Sequence, residues 1–393
     1  MTQHSMTTPS WLNEDFIKTA ILGETHSDRA TLIKYHVAPA AAPGDNYISD
    51  IYRVSVETQD GNQFSLIVKC LPTTEYNLQF IRTARLFEKE IILYDSVLPL
   101  MCELEKCVSV RFAPKCYFIR SHSVLVLDDL TRQGFKIVDR REGLNLNHCK
   151  EAMKCLAYFH ACSTALPKEM MISNFCDTVY SGAGQAHARS YVTNCVLSVA
   201  DRVDKWPGYE RFGDKLRNIA SSSSDRVVSL FNSESPFRVL NHGDFWTNNI
   251  MFQHSSEGDI SGIKIIDFQM CRFVSPVFDI LYFLYTSPQE EIRLNHRLLL
   301  LDEYCKEFTS VAQRLNLPVS ITTDLLDKAM VENEFYGFIN AIMMLPAVLS
   351  GPEKTPDLEN VAQGKSEMEW LSGERFRHQF QNILDEFERK GCI

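Results

Sequence analysis

The segment Val239-Leu-Asn-His-Gly-Asp-Phe-Trp-Thr-Asn-Asn-Ile-Met-Phe252, followed by Ile263-Lys-Ile-Ile-Asp-Phe-Gln269, decides how the rest of this chain is read. Asp244 and Asn249 stand in one short polar loop between two apolar runs, and Asp267 ends a third. Asn249-Ile-Met-Phe252 and Ile263-Lys-Ile-Ile266 are short and β-prone, and the polar link Ser255-Ser-Glu-Gly-Asp259 lies between them, so a hairpin is expected. That hairpin returns Asp267 beside Asn249 and gathers three oxygen-bearing side chains. Taken singly, Asp and Asn are turn formers that end strands more often than they bind anything. In this spacing they meet the needs of phosphoryl transfer. One carboxylate orients an attacking hydroxyl and takes its proton, while further oxygen side chains hold the Mg²⁺ that bridges the phosphates of ATP. Asp244 suits the first role, Asn249 with Asp267 the second.

Such a site also needs a cation for the α- and β-phosphates. Asp50-Ile-Tyr-Arg-Val-Ser-Val-Glu57 and Gln63-Phe-Ser-Leu-Ile-Val-Lys-Cys70 flank an Asp60-Gly61 turn and read as two hairpin strands. Alternation sets Phe64, Leu66, Val68 and Cys70 on one face and Ser65, Ile67 and Lys69 on the other. Lys69 therefore points away from the larger apolar face, as a solvated strand lysine also would. Arg82 to Leu98 then reads as a helix ended by Pro99, with Phe87, Ile91, Tyr94 and Leu98 on its apolar stripe. Glu90 falls on that inward face and Glu88 about 100° away from Phe87. An inward carboxylate requires a cation, and Lys69 is the candidate. Ahead of the first strand, the breaker-rich stretch from Ala38 leads into the loop Gly44 to Ser49, where Gly44, Asn46 and Ser49 are candidate phosphate contacts through backbone N–H groups and a hydroxyl.

Cys116-Tyr-Phe-Ile-Arg120 and Ser123-Val-Leu-Val-Leu127 read as two more strands closing on Asp128-Asp-Leu130. The backbone from Leu127 to Leu130 would meet an adenine edge, which makes Asp128 and Leu130 candidate nucleotide neighbours. Near the start, Trp11, Leu12, Phe16, Ile17, Ala20 and Ile21 have helical spacing behind Ser10 as a cap. From Asn147 onward helical patterns dominate, and His160 lies at core spacing with Met153, Leu156 and Ala157, as a packed, hydrogen-bonded histidine would.

A length of 393 residues can bury two sizeable cores. The net charge of −10 and the absence of a long Lys/Arg run argue against a nucleic-acid or acidic-membrane partner. Twelve scattered cysteines without a C-x-x-C pair read as free thiols. The polar first ten residues contain no signal-like apolar segment, and the most apolar stretch, Phe338 to Leu349, is interrupted by Asn340 and Pro346. A soluble, cytoplasmic chain without membrane insertion is expected.

With these residues in place, the chain resembles the insect ecdysteroid-kinase-like family, also called CHK kinase-like, which is related to choline and aminoglycoside kinases. The resemblance rests on Ser10-Trp-Leu12, Pro43-Gly-Asp-Asn-Tyr-Ile-Ser49, Val68-Lys69, Phe87-x-x-Glu90-x-x-x-Tyr94, Val126-Leu-Asp-Asp-Leu130, Leu156-Ala-Tyr-Phe-His-Ala161, the segment from Asn241 to Phe252, Ile266-Asp-Phe-Gln269 and Pro276-Val-Phe-Asp279. It implies an α+β, bilobal protein-kinase-like fold. A small antiparallel-sheet lobe, residues 1–130, would bind ATP, and a larger mainly helical lobe, residues 131–393, would carry the catalytic and acceptor-binding parts. By the same resemblance Lys69 contacts phosphates, Glu90 positions Lys69, Asp244 is the catalytic base, and Asn249 and Asp267 hold Mg²⁺. Asp279 and His242 would brace the loop.

Two departures from protein kinases favour a small-molecule kinase: Gln269 stands where D-F-G has its glycine, and no A-P-E segment follows. Within the family, Asp128 stands where Glu is usual and Phe245 where Leu is usual. The implied acceptor is a hydroxyl of an ecdysteroid-like or xenobiotic alcohol, consistent with detoxification. A choline-type amino-alcohol kinase and a non-catalytic binding protein of the same fold are the alternatives. Phe273, Phe278, Tyr282, Phe283, Tyr285, Phe335, Tyr336, Phe338 and Trp370 either line an apolar acceptor pocket or pack the helices. No protein partner is indicated.

Overall fold

The computed structural model describes residues 8–22, 32–40, 49–72, 75–106, 111–120, 123–181, 185–233, 235, 237–350 and 373–393. Its first element, α1 (Glu14–Ile21), starts one turn later than the Ser10 cap predicts. Leu12 N bonds to Pro9 O in a preceding turn, and the Asn13 side chain accepts from Phe16 N at 3.1 Å.

Strands β1 (Leu32–Pro39), β2 (Asp50–Thr58), β3 (Gln63–Cys70), β4 (Cys116–Arg120) and β5 (Val124–Asp128) form one antiparallel sheet in the order β1-β2-β3-β5-β4. The edge strand β1 is absent from the sequence reading. It lies largely exposed, with Ile33 and Tyr35 among the exposed residues, so it carries no alternation to read. One sheet face sets Tyr52, Val54, Val56, Leu66, Val68 and Cys70 against Phe16, Ile17, Ala20 and Ile21 of α1. The opposite face offers Ile67, Leu125 and Leu127 to the main core, and Lys69 shares it.

Between β3 and β4 the single helix expected from Arg82 to Leu98 is three helices: α2 (Glu75–Thr83), α3 (Leu86–Ile92) and α4 (Leu98–Glu105). Arg85 adopts a left-handed conformation between the first two. A wide π turn, Leu93–Val97, joins α3 to α4, closed by Leu98 N bonding to Leu93 O. Pro99 consequently sits in the first turn of α4, where its missing N–H costs nothing, and does not end the helix.

The C-terminal part is mainly helical, as the α+β, protein-kinase-like reading requires. A short strand β6 (Lys136–Ile137) precedes helices α5 (Leu146–Thr164), α6 (Lys168–Phe175), α7 (Gln185–Val203), α8 (Arg211–Ala220) and α9 (Ser223–Asn232). Strand β7 (Val239–Asn241) then leads to the hairpin β8 (Ile250–His254) and β9 (Ile260–Ile265), and β10 (Arg272–Val274) pairs back on β7. The chain ends in α10 (Val277–Thr286), α11 (Glu290–Asn295), α12 (Arg297–Arg314), α13 (Thr323–Leu349) and α14 (Glu374–Arg389). Every residue of α10 is buried, so this helix is the axis of the core behind the β7–β8 loop. The eleven described cysteines are free thiols, as their scatter predicts. No helix among the described residues is long and apolar enough to cross a membrane.

Candidate active site

The loop between β7 and β8 is held by groups that leave it little freedom. Gly243 has φ +85°, and a Cβ at that position would lie 2.0 Å from Met270 O, so only glycine permits this crossing. Asp279, buried in the first turn of α10, accepts from His242 N at 2.6 Å and Gly243 N at 2.9 Å, and meets His160 Nε2 at 3.1 Å. Burial opposes its charge, but the bond from His160 and the surrounding positive groups outweigh it, holding Asp279 below the usual aspartate range. Asn241 Oδ1 accepts from Asp279 N, and its Nδ2 donates to Val239 O and Val274 O across the β7–β10 pair. His242 Nδ1 accepts from Asp244 N at 3.2 Å, which requires the proton on Nε2, and Nε2 donates to Ile266 O at 3.0 Å. Both ring nitrogens of His242 are engaged in bracing. His160 is the buried, bonded core histidine expected, with Tyr304 Oη 2.8 Å from its Nδ1.

Asp244 emerges from this frame half-buried. Tyr282 Oη donates to its Oδ1 at 2.5 Å, and Asn249 Nδ2 donates to its Oδ2 at 2.8 Å and to its backbone O at 2.9 Å. Burial raises the Asp244 pKa, while the bonds from Tyr282 and Asn249 pull it back and the charge of Asp267 adds to the rise. Both Asn249 bonds use the amide NH₂, so its carbonyl oxygen keeps its lone pairs for another ligand.

The hairpin forms as predicted, with Ile250 opposite Ile265, and Ile266 N bonds to Asn249 O at 3.0 Å. It delivers Asp267 at φ +68°, a left-handed conformation that aspartate adopts at a cost of order 1 kcal/mol. Lys69 Nζ lies 2.6 Å from Glu90 Oε2 and 2.7 Å from Asp267 Oδ1, bridging two carboxylates from distant elements. Burial works against the ammonium, yet Asp267 and Glu90 more than offset it and Lys69 stands above its ordinary value. Burial likewise raises Glu90, against the pull of Lys69. Glu90 Oε1 also accepts from Phe268 N at 3.2 Å, tying α3 to the turn after Asp267. The Phe268 ring continues that link through Tyr94, Phe112, Phe159 and His242.

Lys69, Glu90, Asp244, Asn249 and Asp267 are thus linked by direct contacts in two sets, and the Asp244 and Asp267 carboxylates lie near enough to influence each other. Gly44 and Asn46 lie outside the described residues, as does Trp370. Ser49 is buried at the head of β2. The Asp128 carboxylate accepts from Gln133 Nε2, and the Leu130 side chain packs with Phe135 and Met251. Its neighbour Asp129 is the buried anchor of this link, accepting from Arg53 Nε at 2.8 Å and Ser65 Oγ at 2.7 Å.

The eight described aromatic residues proposed for a pocket are buried. Phe278 meets Phe231 at 4.7 Å and Tyr336 at 5.2 Å between ring centroids, and Phe338 meets Phe387 at 4.6 Å, which is helix packing. Tyr282 has a polar task in addition. Sequence reading places it among these aromatics and misses its bond to Asp244; the available signal is its position one turn after Asp279 on the same helix face. Gln269 is similarly underread: its Nε2 donates to Asp267 Oδ2 at 3.2 Å.

With its three carboxylates ionised against one ammonium, this cluster carries two negative charges in excess. Such a site favours a divalent cation. Among the described residues no group of three or more His, Cys, Asp or Glu side chains is placed to hold a metal alone. Asn249 and Asp267 fit a shared site completed by phosphate oxygens, the usual manner of Mg²⁺.

Residues 43–317 match the model of the ecdysteroid kinase-like family. None of the curated proteins compared matches the chain. Among solved structures, the chain is similar to a Plasmodium vivax ethanolamine kinase at 16% identity and a TM-score of 0.44, over 87% of this chain and 83% of that one. A macrolide 2'-phosphotransferase type I is 13% identical with a TM-score of 0.40, over 92% and 99% of the two chains. An amicoumacin kinase in complex with AMP-PNP, Ca²⁺ and Ami is 13% identical with a TM-score of 0.41, over 84% and 87%.

Proposed function

The chain belongs to the ecdysteroid kinase-like family, and we propose from this that it is an ATP- and Mg²⁺-dependent kinase phosphorylating a hydroxyl of a small, largely apolar alcohol of the ecdysteroid or xenobiotic class. The observation that carries the reading is the convergence of a buried Lys69–Glu90 pair, the left-handed Asp267 and the Asn249-bonded Asp244. Residues 1–130 would contribute the nucleotide-binding part and residues 131–393 the catalytic and acceptor-binding part.

In this reading Lys69, kept charged by Glu90, meets the α- and β-phosphates. The free carbonyl oxygen of Asn249 and the Asp267 carboxylate would hold Mg²⁺, which when bound offsets the negative charge of the phosphates. Asp244 orients the acceptor hydroxyl and accepts its proton as the oxygen attacks the γ-phosphorus, and the bond from that phosphorus to the bridging oxygen breaks to release ADP. His242 and Asp279 keep Asp244 at its place without exchanging protons.

The test is ATP- and Mg²⁺-dependent phosphate transfer by wild type and Asp244→Asn across ecdysteroids, other hydroxylated lipids, plant glycosides and choline, read as a mass gain of the acceptor. The expected result is a product on an apolar alcohol with wild type and roughly a thousandfold slower reaction with the variant. A product on choline alone would move the assignment to an amino-alcohol kinase. Equal rates for wild type and Asp244→Asn would remove Asp244 from the base role.

A further inference from the structure

The kinase reading leaves one buried polar group at the site without a task. Tyr282 lies in the middle of α10, which is otherwise apolar apart from Asp279 and its C-terminal polar residues, and is only 6% exposed. A phenylalanine would fill the same space, yet the hydroxyl points at Asp244 and donates to Oδ1 at 2.5 Å. Asn249 holds the other oxygen, so the carboxylate is clamped from two sides by donors of different elements. Each carboxylate oxygen has two lone pairs, and the clamp uses one on each. The remaining two are available to an acceptor hydroxyl.

Building on the proposed kinase activity, we propose that Tyr282 is a positioning residue for phosphoryl transfer: its phenol fixes the orientation of the Asp244 carboxylate and leaves one Oδ1 lone pair for the acceptor hydroxyl. Among the described residues, Tyr282 and Asn249 are the side chains that donate to this carboxylate, so removing the phenol frees one end of it while Asn249 still holds the other.

The experiment is MgATP hydrolysis, with water in place of the acceptor, for wild type, Tyr282→Phe and Asp244→Asn. Tyr282→Phe keeps the ring and therefore the helix packing. The expected result is at least a tenfold lower kcat with an unchanged KM for ATP. An unchanged KM shows that the nucleotide site is intact, which a merely structural defect would not leave. If Tyr282→Phe retains the wild-type kcat while Asp244→Asn is inactive, the positioning role is overturned and the kinase reading stands. If Asp244→Asn hydrolyses ATP like wild type, Asp244 loses the base role and this proposal falls with it.

Discussion

Two buried charge networks in this chain invite comparison. One is the Lys69–Glu90–Asp267 cluster with neighbouring Asp244. The other joins the C-terminal helices: Glu334 of α13 accepts from Arg297 Nη1 at 3.0 Å to both oxygens, from Lys390 at 3.0 Å and from Tyr285 at 2.6 Å. Glu386 of α14 pairs with Arg293 and with Lys390, and Asp327 pairs with Arg297 at 3.0 Å. This second network has three acids and three bases, closes its own charge, and staples α10, α11, α12, α13 and α14. The first has three carboxylates and one ammonium, and one of its members sits in a strained left-handed conformation. A structural network balances its charge internally; a site that must receive a charged ligand leaves the imbalance for that ligand to correct.

The largest expected effect breaks the first network without touching the fold. Asp267→Asn should reduce phosphate transfer by about a thousandfold while the thermal midpoint stays equal or rises, since Lys69 keeps Glu90 as a partner and the carboxylates that outnumber it become one fewer. Asn is the right probe because it tolerates the left-handed backbone of this position. A large loss of stability in this variant would mean that both networks are structural. The converse experiment is Glu334→Gln, which leaves Arg297 and Lys390 short of a buried partner and should cost about 3 kcal/mol in denaturant unfolding, with kcat of the remaining folded protein unchanged. Loss of kcat without loss of stability would erase the distinction from the other side.

The smallest effect is read from pH. Burial opposes the charge of Glu386, but Arg293 and Lys390 outweigh it and pull its pKa down to about 2. A carboxylate depressed in the folded state contributes stability that is present above its unfolded value near 4.3 and disappears as the pH falls toward about 2. Stability should therefore decline over that window, and Glu386→Gln should flatten part of the decline. Asp244 has the opposite sign, raised by burial, so it costs stability once ionised. Asp244→Asn should leave the acid decline in place and lift the plateau at neutral pH. An acid limb that Asp244→Asn flattens as much as Glu386→Gln does would contradict the contrast.

Much of the candidate site was legible because its signals are local. Alternation along β3 turns Lys69 from the sheet's apolar face, helical spacing turns Glu90 inward, and a short hairpin returns Asp267 to Asn249. Each inference needs only a period or a turn. The break at Arg85 and the π turn Leu93–Val97 were not legible, because Leu, Tyr, Asp, Ser and Val have no composition that distinguishes a wide turn from a regular one. Edge strand β1 was hidden for a related reason: exposed on both faces, it has no pattern of burial to impose on its residues.

By itself the sequence determined the β8–β9 hairpin, the polar loop from His242 to Asn249, and the neighbourhood of Asp244, Asn249 and Asp267, because these follow from periodicity and spacing along the chain, while the α+β fold was expected from the family resemblance. Only the tertiary structure decided how those side chains are held. Tyr282 and Asp279 reach Asp244 and His242 from 38 and 37 residues further along the chain, Lys69 meets Asp267 across 198 residues and Glu90 meets Phe268 N across 178, and Gly243 is required by the carbonyl of Met270. Hydrogen bonding and close packing act over a few ångströms whatever the separation along the chain, so a tyrosine that reads as core in a helical pattern becomes, once the helix is docked, the group that orients a carboxylate.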